Sequence, residues 1–114
     1  MTIELFKTKL KEAPKTIEFS ETMSVIEANY DFTPTAFKNG TLENAEGQNS
    51  GSCKLFAFAK AQGLSKTETL ACFGKFYFED VLEDPKGDGH QNIRNFMKTG
   101  FEGLYFESNA LTKK

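Results

Sequence analysis

At 114 residues the chain is the size of one domain that can bury its own core, and 39% hydrophobic with 26% charged residues is an ordinary globular composition. A formal net charge of −2 with the signs interspersed leaves no basic face for nucleic acid, and no apolar run approaches the length of a membrane span. Two cysteines without an export signal predict free thiols in a reducing cytoplasm, and twelve Phe with no Trp predict a core of rings that need no polar partner.

In chain order, Thr2 can cap a first helix in which Ile3, Phe6 and Leu10 recur at helical spacing, and Pro14 ends it. Thr16 to Phe19 is short and ambiguous. Ser20 is the expected cap of a second helix, with Met23, Ile26 and Tyr30 on one face and Val25 beside them. Phe32 to Phe37 favours extended backbone, with Pro34 confining it to an edge or a strand start. Asn39-Gly40 is the strongest local signal. It suits the two φ > 0 positions of a two-residue hairpin turn and would pair Thr35–Lys38 with Thr41–Asn44.

From Glu43 to Ser52 the chain is polar and broken by Gly47 and Gly51, and then it turns abruptly helical. Ser52 is the expected cap, Cys53 the first helical residue and Gly63 the left-handed stop. At about 100° per residue, Cys53, Leu55, Phe56, Ala57, Phe58, Ala59 and Ala61 spread round the whole circumference. A helix apolar all round is one that other elements surround. Ser65-Lys66-Thr67-Glu68 is a capping box for the next helix, whose stripe is Leu70, Phe73, Tyr77 and Val81. The run Asp84-Pro85-Lys86-Gly87-Asp88-Gly89 is a break, and Asp88 with Gln91 suggests a second capping box. The last helix shows Ile93, Phe96 and Met97, stops at Gly100 and lets Phe101 fold back onto Phe96, before Gly103–Glu107 alternates as a strand. The prediction is a single α+β domain over residues 1–114, predominantly helical, with about five helices round a central apolar one and a small antiparallel sheet.

Three groups of residues could carry chemistry. Cys53, at a predicted helix N-terminus beside Lys54, has the setting of a favoured thiolate, and His90, the sole histidine, could be its base. The competing reading of Cys53 is a small buried residue. Gln48, Asn49, Ser50, Ser52 and Lys54 precede free helix N–H groups, a seat for a carboxylate or phosphate, though the glycine-to-lysine spacing is not that of a nucleotide P-loop. The same side chains could instead cap the helix and pin the loop. His90, Asn92 and Arg94 edge the apolar stripe of the last helix. One His and two distant Cys do not make a metal site, and no cofactor is implied.

Four blocks resemble the HopJ type III effector family: Asn29-Tyr30-Asp31-Phe32-Thr33-Pro34-Thr35-Ala36-Phe37, Gly47-Gln48-Asn49-Ser50-Gly51-Ser52-Cys53-Lys54, Leu70-Ala71-Cys72-Phe73-Gly74 and His90-Gln91-Asn92-Ile93-Arg94-Asn95-Phe96-Met97. The resemblance runs from about Leu5 to Leu111 and implies a bacterial protein related to effectors delivered into host cells by type III secretion. It implies no reaction and no site residues. The expectation is a binding domain for a small anionic ligand or a host protein, using Gln48, Asn49, Ser50, Ser52, Lys54, Asn92 and Arg94. The alternative is a thiol enzyme of the cysteine hydrolase kind using Cys53 and His90. The protein is expected in the cytoplasm, or secreted into a host cell.

Overall fold

The apolar circumference of the central helix sets the architecture. In the computed structural model, which describes Met1–Lys114, this helix is α3, Ser50–Gln62. Its Cys53, Leu55, Phe56, Phe58 and Ala59 are all buried. Two of its side chains reach most of the other elements. The Phe58 ring lies 6.1 Å from Phe6 in α1, Ile3–Glu12, and 6.1 Å from Tyr30, which joins α2, Phe19–Asn29, to β1, Tyr30–Phe32. The Phe56 ring lies 6.4 Å from Phe37 in β2, Phe37–Asn39, and 5.5 Å from Phe73, beyond the end of α4, Lys66–Ala71. It also stacks at 4.9 Å on Phe96 of α5, Gln91–Thr99. Such ring pairs add about 0.5–1.5 kcal/mol beyond the area they bury. One continuous cluster of 23 buried residues results.

The sheets are small and antiparallel. In the three-stranded one, β2 lies between β3, Leu42–Asn44, and β4, Leu104–Phe106. A two-stranded ribbon pairs β1 with β5, Leu111–Lys113. The hairpin forms, but one residue later than the Asn39-Gly40 signal suggests. Asn39 pairs with Leu42 inside the ladder, and the turn is Gly40-Thr41. Gly40 alone of the pair has positive φ, 63°, as a type II′ turn needs at its first central position. The reason lies in the core: the Asn39 side chain is fully buried and is claimed by Asn92, so it cannot sit at a solvent-facing turn.

Three helix boundaries also differ from expectation. α2 starts at Phe19, with Glu18 rather than Ser20 at the cap and the Glu18 N–H donating to the Glu21 carboxylate at 3.0 Å. α3 starts at Ser50, so Ser52 lies in its first turn and Cys53 well inside it. The stripe after Ser65 does not form one helix. α4 stops at Ala71, and a π-helical turn, Phe76–Val81, follows. Gly74, φ 60°, marks the break: a Cβ there would lie 2.8 Å from the Ile17 carbonyl oxygen and 3.0 Å from the Phe19 nitrogen. The chain entering α2 presses on this point, and the buried Thr22 hydroxyl donates to the Cys72 carbonyl at 2.8 Å. Gly63 and Gly100 stop α3 and α5 with φ of 67° and 60°, and Phe101 packs edge-on against Phe96 at 5.2 Å.

Candidate functional site

The site is built from the two helices that do not cap themselves. In α1 the Leu5 N–H donates to Thr2 Oγ1 at 3.1 Å. In α4 the Glu68 N–H donates to Ser65 Oγ at 3.1 Å, and the Ser65 N–H donates back to the Glu68 carboxylate at 2.9 Å. At α3 and α5 the cap positions are Asn49 and His90, and neither side chain caps. Asp88 makes no cap box with Gln91, because His90 occupies the cap in a left-handed conformation. Asn49 and His90, φ 53° and 54°, are the two residues other than glycine with positive φ. Backbone of that kind costs on the order of 1 kcal/mol or more in a side-chain-bearing residue and gathers at functional sites. The N–H groups of Ser50, Gly51, Ser52, Gln91 and Asn92 find no acceptor in the chain.

Both uncapped ends open into the same half-open cleft, about 320 Å³ in volume. Asn49, Gly51 and Ser52 line it from α3, and His90, Gln91 and Asn92 from α5. Phe19, Phe73 and Phe76 supply apolar wall. Gly51 fits because a Cβ there would come within 3.0 Å of the Phe19 ring. His90 stands against Phe76, ring centroids 5.2 Å apart, and its Nε2 lies 3.1 Å from Asp80 Oδ2. Carboxylate contact of this kind fixes the orientation of the imidazole at the mouth of the cleft.

An asparagine network behind the cleft holds the two helix ends in place. Asn92 Oδ1 accepts from Asn39 Nδ2 at 3.0 Å and from Asn44 Nδ2 at 3.2 Å, while Asn92 Nδ2 donates to Asn44 Oδ1 at 3.1 Å. Asn49 Nδ2 donates to the same Asn44 oxygen at 2.6 Å. Asn39 Nδ2 also donates to the Asn92 carbonyl at 2.7 Å. The hairpin is thereby tied to the first turns of α3 and α5. Asn39, Asn44 and Asn92 are buried, and removing one member leaves its partners unsatisfied, which is the expensive way to lose a hydrogen bond. The local signal at Asn39 points to a turn and nothing local marks Asn44, so their place in the network escapes a sequence reading. The partner they share, Asn92, lies beyond α3 in the chain.

The remaining candidates are placed elsewhere or occupied. Gln48 accepts from the Ala45 N–H at 2.9 Å, and Ser50 Oγ donates to the Gly47 carbonyl at 3.3 Å, so both pin the loop. Lys54 pairs with Glu27 at 3.3 Å above the Phe32 ring and does not line the cleft. Arg94 donates to the Asp84 and Gly89 carbonyls at 2.8 and 2.6 Å, tying down the break before α5. Cys53 is 1% exposed and does not line the cleft, and its Sγ lies 4.0 Å from the Thr35 carbonyl oxygen. Burial pushes its thiol up to about 11 and that of Cys72 up to about 12, and both are free. No group of three or more His, Cys, Asp or Glu residues is placed to hold a metal ion, and no helix is long and apolar enough to cross a membrane.

The model of the family described as HopJ type III effector protein matches residues 3–111. The crystal structure of the unknown function protein VPA0580 is similar at 56% identity and a TM-score of 0.97, over 100% of this chain and 95% of that one. No curated protein matches the chain.

Proposed function

The chain belongs to the HopJ type III effector protein family, and from that premise we propose that it is a binding domain whose cleft takes the anionic end of a small ligand or of a protein partner. The observation that supports this most is the convergence of two uncapped helix N-termini on one cleft, each with a left-handed cap residue at its rim. Free N–H groups there, with the positive ends of two helix dipoles behind them, favour negative charge. Ser52 Oγ and the His90 ring add polar contacts, and Phe19, Phe73 and Phe76 receive an apolar body. The thiol-enzyme reading draws no support from Cys53, whose raised thiol and burial are the reverse of what a nucleophile needs. Membership of an effector family supports delivery into a host cell as the route to a partner.

Titration of the ¹⁵N-labelled protein with inorganic phosphate and with acetate tests the proposal. The Gly51, Ser52, Gln91 and Asn92 amides should shift saturably. Ser52→Asp, which places a carboxylate in the cleft, should abolish those shifts without lowering the melting temperature. Flat titrations with both anions would remove the proposal.

A further inference from the structure

A second cavity of about 380 Å³ shares Phe19, Phe73 and Phe76 with the cleft. The two meet at one side-chain pair: His90 lines the first, Asp80 lines the second, and Nε2 and Oδ2 stand 3.1 Å apart. Phe76 is 39% exposed, a large ring left in solvent where the cavities adjoin. We propose that the two form one aromatic groove, and that its occupant is the C-terminal end of a peptide with a free carboxylate and a Lys or Arg a few residues upstream. The proposal rests on the reading of the cleft given above and names its partner.

Charge decides the occupant. The first cavity has no carboxylate among its lining side chains and presents unpaired N–H donors. The second is lined by Glu18, Glu79 and Asp80 against Lys75 alone. Open donors in one cavity, carboxylates lining the adjoining one and an exposed ring shared by both match a chain that is anionic at its tip and carries apolar and cationic groups further back. A free small anion would leave the aromatic and acidic parts empty. A phosphorylated segment fits less well, because Lys54 and Arg94 are engaged elsewhere and no Lys or Arg lines the first cavity to meet a dianion.

The test is a random octapeptide library with free C-termini, selected on the immobilised protein beside the same library amidated. Lys or Arg should be enriched at a position two to four residues from the end, and only in the free-acid library. The best peptide should bind about tenfold more weakly when amidated, measured by fluorescence anisotropy. Replacing its basic residue by Ala should weaken binding to the parent but not to the Glu79→Gln/Asp80→Asn variant, whose changes lie at exposed side chains. Saturable phosphate or acetate shifts with no peptide enriched would overturn this proposal and leave the anion cleft standing. No response to either would remove both. Enrichment without a basic preference, or equal enrichment of amidated peptides, would also overturn it.

Discussion

The N-terminus of α4 and those of α3 and α5 are built by opposite rules. At α4, Ser65 and Glu68 satisfy each other's backbone, so that end is finished by its own sequence and offers nothing to a ligand. At α3 and α5 the cap residues are twisted into left-handed backbone, their side chains cap nothing, and the first-turn N–H groups stay open. What holds these two ends is the asparagine network, not capping. Rigidity is thus supplied from behind, while the front is left free, as a preorganised site requires. The closed end serves stability, and the open ends carry left-handed backbone at the site proposed to bind.

The largest expected effect asks whether stability really resides away from the cleft. Phe56→Ala removes a fully buried ring that touches Phe37, Phe73 and Phe96, and should cost roughly 3–5 kcal/mol. That is a large part of the ~5–15 kcal/mol by which such domains are stable. Ser52→Asp, in the cleft, should change the denaturant midpoint little. Similar losses from both would erase the distinction between a core that stabilises and a cleft that does not.

A smaller effect concerns the thiols, which lie on the closed side. Burial favours the neutral thiol, so the unfolded chain ionises first as pH rises. The stability they lend is whole below their ordinary value of 9.0 and is lost as pH climbs through about 11 for Cys53 and about 12 for Cys72. Urea melts from pH 8 to 11 should show this decline, and a Cys53→Ala/Cys72→Ala variant should show a flatter one. Alkylating reagents should label neither cysteine in the folded protein. Rapid labelling of Cys53 at neutral pH would instead place it in the open region.

The closed parts were the legible ones. The apolar circumference of α3, the stop at Gly63, the box at Ser65 and Glu68 and the return of Phe101 onto Phe96 all rest on neighbours within a few turns of chain. The misread boundaries were set by distant contacts. The hairpin slipped by one because Asn92 needs Asn39 inside, and the α4 stripe broke because the chain before α2 presses on Gly74. The β1–β5 ribbon joins strands from opposite ends of the chain, so no local pattern announces it. The sequence points to the Gly47–Lys54 loop and the His90–Arg94 helix, yet the side chains that meet in the cleft are Asn49, Ser52, His90 and Asn92, not Lys54 or Arg94. Sequence reading favours charged residues for an anion seat. In the proposed site the donors are backbone N–H groups, which every sequence carries and none displays.

The smallest effect is the sharpest test of the comparison, because its size differs between the two kinds of helix end. Ser65→Ala removes a side-chain cap and should destabilise by about 1 kcal/mol, the usual loss for such a change. His90→Gly removes no cap, since the His90 side chain makes none. It relieves a left-handed residue, worth about 1–2 kcal/mol. It gives up an exposed contact to Asp80 worth about 0–1 kcal/mol and pays the extra unfolded-state freedom of glycine, about 0.5–1 kcal/mol. These nearly cancel, so His90→Gly should melt within about 0.5 kcal/mol of the parent. Its saturable response to phosphate and acetate should weaken, because the ring at the cleft mouth is gone. A loss from His90→Gly as large as that from Ser65→Ala, with anion shifts unchanged, would mean that His90 finishes its helix as Ser65 does, and the two kinds of N-terminus would be one.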